Sequence, residues 1–293
     1  MLFLIYVNDI GRLQLKGELT LFADDTNLFY IGDNATTQYI NEDLHKINNY
    51  FKSNRLSLNV NKTRFVKFSV RGVMTDWYGL IFMNNMCIEQ STSAKFLGLT
   101  LDCNLSWAPH IKSLKKKLVP IVGVIHRLGK GIPIRLKKSV YHALIHSHLM
   151  YLSVIWGNAT SSLITQLEIL QRRALRRLFG WDRLMPNSSI YTTAGVPSLL
   201  QSITRSAAIT MYKLKRGLLR SNTLFRVQSD HHSYNTRTAN NLSLEPSITT
   251  THGLKSVHRL LVTTYNRLPQ SIKDCKNIAL FKKLLKIYVP VVK

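Results

Sequence analysis

The sequence predicts an α+β fold followed by an all-helical region, and three observations carry that expectation. Up to Asp102, short strand-like runs surround one amphipathic helix; beyond Trp107 the apolar residues take helical spacing. The charge changes at the same place. Residues 1–106 hold ten Lys/Arg against ten Asp/Glu, whereas residues 107–293 hold thirty against five and carry the whole net charge of +25.

Residues 2–10 begin with core-type side chains and no cap, as a chain does when it opens inside an element. Leu19 to Leu21 and Asn27 to Ile31 have strand composition, with the tetrapeptide Phe22-Ala23-Asp24-Asp25 where a tight turn would join them. Ala35 to Leu56 reads as an amphipathic helix through Tyr39, Ile40, Leu44, Ile47, Tyr50 and Phe51. Thr63 to Val70, Leu80 to Met83 and Ala94 to Leu101 read as further strands. Helices are expected at His110 to Gly129 (with Pro120 a possible kink), Ile134 to Ser147, Leu163 to Phe179 and Pro197 to Leu219. Ser221 to Thr251 is polar and reads as a loop or linker, after which helical pattern returns at Lys255 to Leu268 and Ile278 to Tyr288. The expected division is 1–106, 107–220, a linker at 221–254 and a helical segment at 255–293.

With 293 residues, 45% hydrophobic, the chain has the composition of a globular protein. No acid occurs between Asp102 and Glu168, and a long stretch of one sign calls for an anionic partner. Thirty cations spread over several helices suit a repeating phosphate backbone best and a membrane surface next. Cys87, Cys103 and Cys275 are too few and too scattered for a disulfide framework or a zinc site, which favours a reducing compartment. Leu2 to Val7 is followed at once by Asn8-Asp9 and lacks the pattern of a signal peptide, and Leu149 to Trp156 is too short to span a bilayer. The expectation is an intracellular protein, nuclear or cytoplasmic, not secreted.

Adjacent carboxylates at a hairpin tip repel each other unless a cation holds them, and Mg²⁺ suits such hard oxygen donors. A solvated turn cap is the plainer use of Asp24-Asp25. Lys112, Lys115, Lys116 and Lys117 lie on one helix, and Arg172, Arg173, Arg176 and Arg177 form a second basic face on another. His142 and His146 stand at i, i+4 with His148 nearby, but no carboxylate or Cys accompanies them, so they read as helix histidines rather than metal ligands.

Over essentially its whole length the sequence resembles the reverse transcriptase of non-LTR (LINE-type) retrotransposons, particularly the Jockey-like branch. The residues that carry the resemblance are Leu2 to Ile10, Phe22-Ala23-Asp24-Asp25-Thr26, Leu58 to Thr63, Phe96 to Asp102, Trp107 with His110-Ile111, Tyr151 with Trp156-Gly157, Gln171 to Arg176, Asn266 to Pro269 and Phe281 to Leu285. The resemblance implies a partial right-hand polymerase palm, then a helical thumb and a basic helical extension. It implies RNA-directed DNA synthesis by two-metal nucleotidyl transfer, with an RNA template, a DNA primer and deoxynucleotides as partners and Mg²⁺ as cofactor. Asp24 and Asp25 would ligate metal, Phe22 and Ala23 would lie beside the primer terminus, and Phe96, Leu97 and Gly98 would shape the primer grip. Lys62 would protonate or neutralise the leaving pyrophosphate, or would be an ordinary loop lysine. The four lysines would contact template–primer phosphates. In the resembled family a first catalytic aspartate and the fingers lie upstream of the segments matched here. The expectation is therefore a fragment inactive alone, with a non-catalytic nucleic-acid-binding remnant or an inert pseudogene product as alternatives.

Overall fold

The computed structural model describes residues 2–32, 36–68, 79–128, 131–221, 225–228, 241–244 and 256–288. The expected strand residues Ser69 and Val70, and most of the expected linker, lie outside the described residues. Two compact units divide the chain, Met1–Asn104 and Leu105–Lys293.

In the first unit, helix α1 (Leu2–Tyr6) runs into a 3₁₀ turn at Asn8–Arg12, which buries Val7 and Ile10. Strands β1 (Glu18–Phe22) and β2 (Asp25–Phe29) pair antiparallel, with Phe22 opposite Asp25 and Glu18 opposite Phe29. Helix α2 (Thr36–Ser53) follows the expected apolar spacing and buries Leu44, Ile47 and Phe51. Strands β3 (Phe82–Met83) and β4 (Met86–Cys87) turn through Asn84-Asn85, both at positive φ, the conformation a two-residue hairpin turn demands. Two-stranded pairs are marginal alone. Here they lean on α2, through the cluster of Leu44, Val60, Ile81, Met83 and Ile88 and the cluster of Val7, Ile10, Ile47 and Phe51.

Ala94 to Leu101 is not the single strand expected. It forms a hairpin, β5 (Ser93–Phe96) and β6 (Leu99–Asp102), because Leu97 (φ 48°) and Gly98 (φ 80°) reverse the chain between them.

One buried acid ties the start of the first hairpin to α2. Asp43 is fully buried, and its Oδ2 accepts the backbone N–H of Lys16 (2.7 Å) and of Gly17 (2.9 Å) and the hydroxyl of Tyr30 (3.0 Å). The Lys46 ammonium lies 3.6 Å from Oδ1. A Cβ at Gly17 would stand 2.5 Å from the Tyr30 ring, so glycine is what allows this packing. Burial, reinforced by Asp43, pushes the Tyr30 hydroxyl well above the usual tyrosine range.

In the second unit, helix α3 (Ala108–Leu128) runs unbroken through Pro120 and buries Ile111, Leu114, Leu118, Val122 and Ile125. Helix α4 (Ile134–Tyr141) passes into a π-helical turn at His142–His146 and then α5 (Ser147–Met150), where one continuous helix was expected. Helices α6 (Ser153–Trp156) and α7 (Ser161–Phe179) follow, and α7 packs along α3. Helix α8 (Asn187–Ala194) leads to α9 (Leu199–Lys215), which opens on a capping box between Ser198 and Gln201. Helices α10 (Val257–Asn266), α11 (Gln270–Lys273) and α12 (Ile278–Ile287) close the unit, with α10 and α12 packed on α9.

Gln171 is the polar knot of this unit. Its buried amide donates to Tyr141 Oη (2.6 Å) and the Pro197 carbonyl (3.1 Å) and accepts from Leu199 N (2.9 Å), joining α7 to α4 and α9. Leaving those partners unsatisfied would cost about 1–3 kcal/mol each.

Candidate nucleic-acid interface and acidic hairpin

The β1–β2 register makes Ala23-Asp24 the two-residue turn and Asp25 the first residue of β2. Ala23 takes φ 52°, in the left-handed region, whereas Asp24 is not among the positive-φ residues. Glycine is the favoured residue at that first turn position, and an L-residue there costs about 1–2 kcal/mol. Phe22, Ala23, Asp24 and Asp25 are all exposed. The acidic pair thus stands at a strained, solvent-facing tip.

Phe96, next to the Leu97-Gly98 turn, meets Phe29 edge-on with ring centroids 5.9 Å apart, so the two hairpins touch. The contact lies at the far end of β2 from Asp25, roughly 13 Å along the strand. Lys62 is exposed on a 3₁₀ turn, Val60–Lys62. Asp9 is engaged elsewhere, accepting the Tyr50 hydroxyl.

Two carboxylates offer hard oxygen donors of the kind Mg²⁺ takes, but they are only part of a site. Among the described residues no group of three or more His, Cys, Asp or Glu is placed to hold a metal ion. Among the described residues these two carboxylates are thus part of a two-metal centre at most.

The basic residues divide more sharply than their spacing suggests. On α3, Lys112, Lys116 and Lys117 are exposed, while Lys115 is half-buried and donates to Gln166 Oε1 of α7 at 2.7 Å. Lys112 and Lys116 share a face one turn apart, and Lys117 lies about 100° round the helix from Lys116. Burial, with a further contribution from Lys117, holds the His110 imidazole below its usual range.

Three of the four α7 arginines, Arg173, Arg176 and Arg177, line one cleft, and they differ in what else they touch. Arg172 pairs with Glu168 (3.8 Å), and Arg176 donates to the Met185 carbonyl and to Asn187 Oδ1, both at 2.9 Å. These two bind α7 to its own surroundings. Arg173 and Arg177 are exposed and line, with Arg176, a cleft of about 1060 Å³; Arg177 also donates to the Val122 carbonyl of α3 at 3.4 Å. Lys137, Trp181 and Arg183 line it too. Spacing alone does not reveal this cleft; the available signal was an aromatic pair, Phe179 and Trp181, directly after the arginine run. His142 and His146 meet as rings, with centroids 4.8 Å apart.

The chain is similar to RNA-directed DNA polymerases of Drosophila melanogaster transposons. It is 24% identical over 206 residues to the probable RNA-directed DNA polymerase from transposon BS, a match covering 69% of this chain and 23% of that protein. It is 20% identical over 225 residues to the probable enzyme from transposon X-element (74% of this chain, 24% of that protein). To the RNA-directed DNA polymerase from mobile element jockey it is 25% identical over 205 residues (67% and 22%). The chain thus spans about a quarter of the length of these relatives. They bear out the resemblance to reverse transcriptases of non-LTR, Jockey-like elements. No family model matches the chain, and no solved structure matches it significantly.

Proposed function

We propose that this chain is part of an RNA-directed DNA polymerase of a non-LTR retrotransposon and that it binds template–primer nucleic acid without copying it alone. In this reading residues 1–106 are palm and 107–220 thumb and post-thumb, with 221–254 connecting to a C-terminal helical segment at 255–293. Such a protein works inside the cell, in nucleus or cytoplasm, and among the described residues no helix is long and apolar enough to cross a membrane.

The observation that carries the reading is the placement of Asp24 and Asp25, exposed at a strained hairpin tip in a chain similar to these polymerases. The roles follow from chemistry. Asp24 and Asp25 contribute carboxylate oxygens to a Mg²⁺ site whose remaining ligands lie outside the described residues. Phe22 and Ala23 flank the primer terminus, Phe96, Leu97 and Gly98 hold the primer strand, and exposed Lys62 faces the leaving pyrophosphate. The cations of the second unit hold nucleic-acid phosphates, with Lys112, Lys116 and Lys117 the freest on α3.

A primer-extension assay with an RNA template, DNA primer, deoxynucleotides and Mg²⁺ tests the catalytic half. No incorporation is expected from the chain alone, because two carboxylates leave a two-metal clamp short of ligands. Incorporation above background that disappears in Asp24→Ala would overturn the claim of inactivity.

A further inference from the structure

We infer that the cleft between α3, α4 and the end of α7 is a binding site for single-stranded nucleic acid, separate from the lysine face that suits duplex. The inference rests on the proposed nucleic-acid binding of the second unit and adds where, and in what form, a strand is held. The cleft is concave, about 1060 Å³, and Lys137, Arg173, Arg176, Arg177 and Arg183 supply five cations, with no acid among the described lining residues. That volume is at the upper end of ordinary ligand pockets, roughly 300–1,000 Å³, enough for a few nucleotides.

Charge alone would describe any anion; the aromatic floor narrows the choice. Trp181 lies stacked on Phe179, with ring centroids 4.7 Å apart and planes 16° from parallel. The Lys137 ammonium sits 5.7 Å from the Phe179 centroid, so the platform is fixed by a cation–π contact as well. Gly180 at φ 74° turns the chain after α7, and Trp181 N–H bonds back to the Arg176 carbonyl at 2.9 Å. An added Cβ at Gly180 would meet nothing within 4 Å, so glycine is needed there for its backbone conformation, which aims Trp181 at the cleft.

An aromatic wall beside arginines is how proteins hold unpaired bases: the ring stacks a base while the cations take the backbone. Paired bases inside a duplex do not offer their faces, so this wall selects single strands. The α7 C-terminus opposes an anion with only about half a negative charge, which Arg176 and Arg177 in the last turn outweigh. Lys116 and His126, the latter on the cleft lining, are ten residues apart on α3, about 15 Å along its axis.

The test uses the full chain with fluorescein-labelled oligonucleotides of about twelve residues, single-stranded RNA, single-stranded DNA and blunt duplex, read by anisotropy. Trp181→Ala should weaken both single strands by about 5- to 100-fold, while Trp181→Phe should stay within about threefold of wild type. Arg173→Gln with Arg177→Gln removes two exposed charges and leaves the Phe179–Trp181 stack in place; the Arg177 bond to the Val122 carbonyl is lost with it, and a thermal melt of the variant checks that the fold is kept. The double variant should flatten the single-strand salt slope by about 1.4 and leave duplex binding within about twofold. Wild-type binding that neither Trp181→Ala nor the arginine pair alters would overturn the cleft, and so would equal loss on duplex. Absence of any binding by wild type would instead overturn the proposed function on which the inference rests.

Discussion

Replacing Lys112 and Lys116 by Gln should flatten the salt dependence of duplex binding more than any other pair on α3. Both are exposed and one turn apart, so a single phosphate backbone running along that face meets both. Each phosphate neutralised on duplex contributes about 0.9 to the slope of log K against log salt, so the double variant should lose about 1.8. Adding Lys117→Gln should remove at most another ~0.9, the share of one further phosphate met about 100° round the helix. Lys115→Gln should change the slope by a few tenths at most, since its ammonium is committed to Gln166 at 2.7 Å. Losing that hydrogen bond should instead lower stability by about 1 kcal/mol, whereas the exposed pair should cost less than about 0.5 kcal/mol. Anisotropy titrations on a duplex across a salt series, with a thermal melt of each variant, separate the two effects. A slope unchanged by Lys112→Gln with Lys116→Gln, or changed most by Lys115→Gln, would refute the reasoning.

Two stability predictions follow from buried polar groups. Asp43→Asn keeps the shape but weakens an acceptor that serves three donors; it should destabilise the first unit by about 1–3 kcal/mol, read by denaturant unfolding, and a loss under about 0.5 kcal/mol would show that Asp43 is dispensable. The His146 pKa is lowered to about 4, mainly by burial and then by His142, and no partner is found for its Nδ1 among the described residues. The folded state therefore keeps it neutral while the unfolded chain takes a proton near pH 6.5, so its contribution is intact above that pH and falls away between about 6.5 and 4. Because the ring is only partly buried, about 1 kcal/mol is expected, and His146→Gln should lose less stability than wild type on going from pH 7 to pH 4.5. Equal losses would contradict the assignment.

The long helices were legible because their apolar residues recur at helical spacing over many turns, as in α2, α3, α7 and α9. The acidic hairpin was legible because Asp24-Asp25 stands between two short strand-type runs. What escaped depends on groups that pattern treats as surface. Asp43 belongs to a polar stretch of α2, and only the fold brings the Lys16 and Gly17 amides and the Tyr30 hydroxyl to it. The π-helical turn at His142–His146 leaves the periodicity of Ile134 to Ser147 nearly unchanged, so one helix was expected. Four arginines at i, i+1, i+4 and i+5 look equivalent in sequence. Glu168 engages Arg172, Asn187 and the Met185 carbonyl engage Arg176 at the cleft's edge, the Val122 carbonyl takes Arg177, and only the fold shows that Arg173, Arg176 and Arg177 share one cleft.

The central claim is that the basic unit holds template–primer nucleic acid. Its direct measurement is the affinity of the full chain for an RNA–DNA hybrid with a single-stranded template overhang, across salt concentrations from low to physiological. Lys112, Lys116, Lys117, Arg173, Arg177 and Arg183 are all exposed, and six phosphate contacts give an expected log–log slope of about −4 to −5. A slope shallower than about −1, or no binding at low salt, would contradict it.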